Sequence, residues 1–188
     1  MRIGKSAKFR HFGLSVLETE LIYDTLKRSF EVDEEELLED ESLYPGTVEI
    51  EFPLPCSEAF FEIFTIESWI KIKGIIKEMK NRRGRKGLRV LLRFCGIAHQ
   101  VANASTPIIV FPLVSKGNRQ FEISLEKIEY MLEIVALQLA SLPSDTGGVW
   151  YYYDDITSKW SPREARSSGL KYFFKNDRWE EAVDGQTN

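Results

Sequence analysis

Cysteine and histidine are scarce in this chain, which has two of each among its 188 residues. Two thiols, Cys56 and Cys95, are too few for the disulfide framework of a small secreted protein, so they favour a reducing compartment. No apolar stretch approaches the roughly 18 residues that cross a bilayer. The N-terminal residues also lack the apolar segment of a secretory signal. The sequence therefore predicts a protein that is not secreted, has no membrane partner and resides in the cytoplasm or nucleus.

Motifs for catalysis and cofactor binding are also missing. The sequence has no glycine-rich phosphate loop, no dinucleotide fingerprint and no nucleophile elbow. The histidines and cysteines form one conceivable four-ligand set, namely His11, Cys56, Cys95 and His99. Their spacing does not match the paired ligands of a zinc site. We therefore expect no metal, no cofactor and no catalysis. An enzyme for a phosphorylated substrate, with His99 or Asp155 as its base, is the less favoured alternative.

The apolar content is sufficient for a folded core, because 43% of the residues are hydrophobic and 23 are aromatic. We expect an α+β domain over residues 1–146. Within it, residues 31–41 hold eight acids and no base, which predicts an acidic linker over 31–46. Nine aromatic residues between 150 and 179 predict a β-hairpin extension over 147–182. Residues 183–188 are expected to be a disordered tail.

Hydrophobic periodicity predicts the order of the helices and strands. Helices are expected at 14–30, 67–83 and 125–142, and strands at 47–52, 59–66, 88–95, 106–114 and 120–123. From residue 60 to 154 the order is βαββαβ, the split-βαβ or ferredoxin-like plan, preceded by an extra helix and strand. RNA-recognition domains share this order, but residues 106–114 lack their basic-glycine-aromatic consensus. The plan alone does not define a function.

The most informative feature is the positive charge between Lys71 and Arg93. Ten of the 25 basic residues lie in this segment with one acid, Glu78, so it carries +9 while the remaining residues carry −13. Clustered lysine and arginine bind phosphate backbones, and arginine pairs with phosphate through two hydrogen bonds. The alternative is a solvated helix face and basic turn that balance the acidic residues 31–41, which could also mask the basic surface.

We therefore hypothesise a non-catalytic protein that binds nucleic acid, favouring single-stranded DNA or RNA. The basic residues expected to contact phosphates are Lys73, Lys77, Lys80, Arg82, Arg83, Arg85, Lys86, Arg89 and Arg93. Tyr151 and Tyr153 share one face of their strand and are the rings chosen for base stacking. Trp150 and Tyr152 share the other face.

The alternative hypothesis is a protein-interaction module or a subunit of a larger assembly. The basic turn would then dock an acidic protein partner, and the tryptophans and tyrosines after residue 148 would dominate the interface. Apolar residues spaced by three and four over 125–142 also permit oligomerisation through that helix.

Overall fold

A computed structural model describes residues 6–38, 44–84, 87–95, 107–114 and 117–182. The strands within these ranges are β1 (Ser6–Phe12), β2 (Glu31–Glu36), β3 (Thr47–Phe52), β4 (Arg89–Cys95), β5 (Ile108–Leu113), β6 (Thr146–Asp154), β7 (Lys159–Ser167), β8 (Leu170–Lys175) and β9 (Arg178–Glu181). The helices are α1 (Val16–Lys27), α2 (Phe60–Ile63), α3 (Ile66–Arg83), α4 (Asn118–Glu126) and α5 (Ile128–Leu139). The expected tail at 183–188 lies outside the described residues.

All the described strands belong to one sheet in the order β2-β1-β3-β4-β5-β6-β7-β8-β9. The pairs β1 with β2, β3 with β4 and β5 with β6 are parallel, and helices connect the two strands of each pair. Such crossovers are what parallel neighbours require. The strands from β6 to β9 form an antiparallel meander. Three βαβ units and a meander therefore share one mixed sheet.

The helices pack on one face of this sheet. The ring of Phe52 on β3 lies 5.1 Å from that of Phe60 on α2 and 6.3 Å from that of Trp69 on α3, centroid to centroid. Farther along the sheet, Trp160 on β7 donates a hydrogen bond from Nε1 to the carbonyl of Ser124 on α4, at 2.8 Å. The buried core joins residues of β1 through β7 to these helices. No described helix packs on the opposite face, which we call the helix-free face.

Side chains at the helix ends explain where α1 and α3 begin and end. Ser15 and Glu18 form a reciprocal capping box, with Ser15 N donating to Glu18 Oε2 at 2.8 Å and Glu18 N donating to Ser15 Oγ at 3.3 Å. Thr65 caps α3 by accepting from Ser68 N at 3.3 Å. Gly84 ends α3 with a φ of 63°, in the left-handed region that glycine enters without strain.

The mixed α+β class is confirmed, but the ferredoxin-like arrangement is not, because the sheet is larger and contains nine described strands. A split βαβ unit would place another strand between its two parallel strands. Here the two parallel strands of each unit are direct neighbours. Residues 147–182 form β6 to β9 and continue this same sheet through the pairing of β6 with β5.

Several expected elements are different in the structure. Residues 59–66, expected to be a strand, contain α2 and the start of α3, and residues 120–123 lie within α4 instead of a strand. The helix expected at 125–142 is divided between the end of α4 and α5, which begins at Ile128. The acidic residues 31–36, expected to be part of a linker, form the edge strand β2. The first strand, β1, was not anticipated.

In the ranges that the structure describes, no helix has the length and apolar character needed to cross a membrane.

Candidate nucleic-acid interface

Two lysines of α3, Lys73 and Lys77, face carboxylates on the neighbouring helices. Lys73 Nζ donates to Glu126 Oε2 at 2.5 Å and also to Glu129, while Lys77 donates to Glu126. The pKa of Lys73 is raised, because these two carboxylates outweigh its burial. The pKa of Glu126 is lowered, because the hydrogen bonds and charges of Lys73 and Lys77 outweigh desolvation. These lysines are therefore engaged within the molecule.

Lys80 is almost completely buried, and its ammonium group lies 5.3 Å from the centroid of the Phe121 ring. Burial lowers the pKa of this lysine, because the charged form loses water. A side chain in this position cannot reach an outside phosphate without local opening of the contact between α3 and α4.

The arginines at the end of α3 bind Glu18 on α1. Arg83 donates from Nη1 to Glu18 Oε1 and from Nη2 to Glu18 Oε2, both at 2.7 Å. Arg82 lies 3.1 Å from the same carboxylate through Nη2. The hydrogen bond from Arg83 lowers the pKa of Glu18 from 4.5 to about 2, against the opposing effect of burial. Arg82 is half exposed and can still meet a ligand. Arg85 and Lys86 lie outside the described residues.

Arg89 and Arg93 point instead to the helix-free face. They lie on β4 with Leu91, and their guanidinium groups are 3.8 Å and 3.3 Å from the carboxylate of Glu49 on β3. Arg10 on β1 approaches the same carboxylate at 2.7 Å. Glu49 is thus shared by three guanidinium groups, while Lys8 on β1 lies 3.3 Å from the neighbouring Glu51 on the same face.

The two tyrosines chosen for stacking face the helices. Tyr151 is 1% exposed and donates to Gln138 Oε1 at 2.9 Å, and Tyr153 is 6% exposed with its ring against Trp160. Base stacking needs an exposed ring, which neither residue offers in this structure. The alternation of β6 turns Trp150 and Tyr152 to the helix-free face instead, and Tyr152 is 48% exposed.

The strand registers place charged and aromatic residues in one row across the helix-free face. Arg93, Val110, Trp150, Glu164 and Phe173 are successive partners from β4 to β8. Because neighbouring strands lie about 4.8 Å apart, Trp150 is roughly 10 Å from Arg93 on one side and from Phe173 on the other. Arginine charge and aromatic rings therefore occur within the reach of a few nucleotides.

Three rings on the helix-free face each have a cation beside them. The guanidinium carbon of Arg166 lies 5.2 Å from the centroid of the Trp150 ring, and that of Arg163 lies 5.4 Å from the Tyr152 ring. Lys171 Nζ lies 5.0 Å from the centroid of the Phe173 ring. Such pairs combine a stacking surface with positive charge. We call Trp150, Tyr152, Phe173, Arg163, Arg166 and Lys171 the aromatic-basic patch.

The acidic segment does not lie over these residues. Its described part, β2, pairs only with β1 at the sheet edge, so that β1 and β3 separate it from Arg89 and Arg93 on β4. Residues 39–41 lie outside the described residues. The strand β2 therefore does not mask Arg89 and Arg93. The positive charge of α3 is offset instead by Glu18, Glu126 and Glu129.

Sequence reasoning included Arg89 and Arg93 but missed the aromatic-basic patch. The alternation over 150–153 predicted two pairs of rings, and only the position of α5 decides which pair is buried.

His99, considered above as a metal ligand and as a base, lies outside the described residues. The ranges 6–38, 44–84, 87–95, 107–114 and 117–182 contain no group of three or more histidine, cysteine or acidic side chains arranged to hold a metal ion.

No protein-family model, curated protein or solved structure matches this chain.

Proposed function

We propose that this protein binds single-stranded nucleic acid, DNA or RNA, across the helix-free face, without catalysis. The observation that carries the proposal is the aromatic-basic patch, where each of three half-buried or exposed rings has a cation beside it. Two of these rings, Trp150 and Phe173, share a sheet row with Arg93. Proteins that bind single strands combine aromatic stacking platforms with a basic surface that follows the backbone. A sheet face is a suitable platform because its side chains stand in regular rows.

The helix-free face presents clustered basic side chains although the whole chain is −4, and several of them share one carboxylate. Three arginines share Glu49, and Arg166 and Lys171 share Glu164 at 3.1 Å and 2.8 Å. Arg166 remains mostly exposed and can exchange its carboxylate contact for a phosphate. From the basic segment 71–93 the proposal retains Arg89 and Arg93 as phosphate contacts, whereas Lys73, Lys77 and Lys80 lie on the helix side.

A titration of labelled single-stranded oligonucleotides, followed by fluorescence anisotropy, tests this proposal. We expect replacement of both Trp150 and Tyr152 by alanine to weaken binding about tenfold or more, because each base stacked on a ring contributes about 1–3 kcal/mol. Arg166→Ala should reduce the salt dependence of binding, since each phosphate contact on a single strand contributes roughly 0.7 to the slope of log K against log salt.

Lys77→Ala is the matched control, because it removes a positive charge from the helix side of the sheet. If it weakens binding as much as Arg166→Ala, the helix-free face is not the interface. No binding of any oligonucleotide at about 50 mM salt would exclude the function itself.

A second candidate, a subunit of a larger assembly, is supported by the outer surface of α5. Tyr130, Ile134 and Leu137 are exposed at spacings of four and three, and Leu137 is 78% exposed. Beside them, Lys127, Met131 and Trp160 contribute to a largely apolar cavity of about 320 Å³. An apolar helix stripe of this kind suits the docking of another helix.

The simplest form of this assembly is a dimer through α5. We expect sedimentation velocity at about 100 µM protein to show a dimer, and Ile134→Lys to return it to a monomer, because a buried charge without a partner opposes association. Lys175→Glu, an exposed change on β8, is the control and should leave the association unchanged. A monomer at this concentration contradicts self-association through α5.

A further inference from the structure

A cavity between α1 and β2 is not used by the proposed function. It has a volume of about 350 Å³, within the range of small-molecule sites. The lining residues are His11, Leu14, Val16, Thr19, Glu20, Tyr23, Asp24, Glu34 and Glu36. His11 and Glu36 come near the ends of the parallel strands β1 and β2, and ligands of α/β sheets commonly bind beyond the carboxyl ends of parallel strands.

The charge of the lining is negative. Glu20 and Asp24 come from α1, Glu34 and Glu36 come from β2, and the described lining residues include no lysine or arginine. Within the described ranges, none of these four carboxylates forms an ion pair with lysine or arginine, unlike Glu18, Glu49 and Glu126. Lys27 contacts one lining residue from outside the cavity, with its Nζ 5.4 Å from the centroid of the Tyr23 ring.

His11 supplies a polar group that has no partner at one of its nitrogens. The side chain is 6% exposed, lines the cavity, and places Nε2 3.2 Å from Glu34 Oε1, while Nδ1 has no hydrogen-bond partner among the described residues. Buried polar atoms are normally paired, so His11 keeps one unsatisfied hydrogen-bonding group in the wall of the cavity, behind its accessible surface. The contact with His11 also holds the Glu34 carboxylate in the cavity wall.

The remaining lining is apolar or aromatic. Leu14, Val16 and the Tyr23 ring alternate with the carboxylates, and Val16 is strongly exposed. A small inorganic cation would not need these groups, and in the described part of the chain no set of three ligating side chains is close enough to hold a metal. An alkyl stem with an ammonium group at its end would contact both kinds of lining. The positive end of the α1 dipole is compensated by the Glu18 capping box.

We propose that this cavity binds an alkylammonium group, with the ammonium beside Glu34 and Asp24 and the methylene stem against Val16 and Tyr23. The same chemistry occurs in free polyamines and in the lysine side chain of a peptide. Binding does not depend on the helix-free face, so the site can exist whether or not the protein binds nucleic acid.

The test is titration of the full chain with spermidine, with Nα-acetyl-lysine amide and with MgCl2, followed by amide chemical shifts in NMR. We expect saturable shifts at His11, Val16, Tyr23 and Glu34. The double variant Glu34→Gln, Asp24→Asn should weaken binding at least tenfold, because charge-assisted hydrogen bonds are lost while the side-chain shapes are kept. Glu35→Gln is the matched control: it removes the same charge from the same strand, but Glu35 pairs with Arg10 on the opposite face and does not line the cavity.

The two organic probes distinguish the sources of the ligand. Tighter binding of spermidine assigns a free polyamine, and tighter binding of the lysine derivative assigns a peptide side chain. The proposal is overturned if neither probe saturates, if Mg²⁺ produces the same shifts with equal affinity, or if Glu35→Gln weakens binding as much as the double variant. Unchanged far-UV circular dichroism and melting temperature show that the variants are folded.

Discussion

Glu18→Gln is expected to lower the free energy of unfolding by about 3 kcal/mol at neutral pH. The Glu18 carboxylate is 3% exposed, accepts two hydrogen bonds from Arg83, and caps α1 through the backbone of Ser15. Its pKa of about 2, against 4.5 for the free group, corresponds to roughly 3 kcal/mol of preference for the charged form in the folded state. Removal of one partner from a buried ion pair typically costs about 3–5 kcal/mol. Urea unfolding of both proteins at pH 7 measures the difference.

The same carboxylate gives this prediction a pH dependence. Because the pKa of Glu18 is lower in the folded state, its stabilisation is complete above pH 4.5 and is lost as the pH falls towards about 2. The variant should therefore be most destabilised at neutral pH and should approach the native protein below pH 3. Glu78→Gln, on the exposed side of α3 with only a 3.8 Å contact to Arg82, is the control and should change stability by less than about 0.5 kcal/mol. A constant difference between pH 7 and pH 3 would show that the effect comes from packing and not from charge.

Phe52→Ala is expected to lower the free energy of unfolding by about 3–5 kcal/mol, because a large buried ring is removed. The ring of Phe52 is fully buried and lies within 6.4 Å, centroid to centroid, of five other rings. These partners are Phe30, Phe60, Phe64, Trp69 and Phe94. They come from β4, α2, α3 and the segments beside α1 and α2, so the lost contacts connect several elements at once. The cavity left by alanine cannot close without moving them.

Phe173→Ala is the matched control for this change. Phe173 is half-buried on the helix-free face. Truncation of its side chain to alanine should lower the free energy of unfolding by about 1 kcal/mol or less. Guanidinium unfolding of the two variants gives the comparison through their midpoints and slopes. Equal losses of unfolding free energy in the Phe52→Ala and Phe173→Ala variants would contradict a core organised around Phe52.

The sequence predicts those elements whose pattern is set locally. The apolar spacing of Trp69, Ile72, Ile76 and Met79 indicates a helix over 67–83, and α3 extends from Ile66 to Arg83. The nine aromatic residues between 150 and 179 indicate hairpins, and β6 to β9 are a meander. In α3, β6 and β7 one side of the element is largely buried, so the spacing of apolar residues is enough to predict each element.

Elements defined by distant contacts are not predictable in this way. The aromatic segment 59–66 has strand propensity, but Phe60 and Phe64 pack on Phe52 and Phe30 from a helical backbone. The strand β2 has almost no apolar residues, and its backbone pairing with β1 holds it in place. A pattern of hydrophobic residues cannot reveal a strand of this composition.

The same limit applies to the candidate interface. Counting charge identifies the segment 71–93, but it cannot show that Lys73 meets Glu126 and Glu129, which are more than 50 residues away in the chain. Arg89 and Arg93 differ from Lys73 because strand alternation turns them away from the helices. The direction of a side chain relative to the sheet, and not the number of charges in a segment, decides which cations remain available to a ligand.

The composition of β2 also has a consequence for the behaviour of the protein at high concentration. This strand ends the sheet with five acids in six residues, Glu31, Asp33, Glu34, Glu35 and Glu36. Two copies that approached through this edge would bring like charges into direct opposition, which disfavours hydrogen bonding between their backbones. The acidic strand therefore acts as a barrier to sheet polymerisation and fibril growth at this end of the molecule.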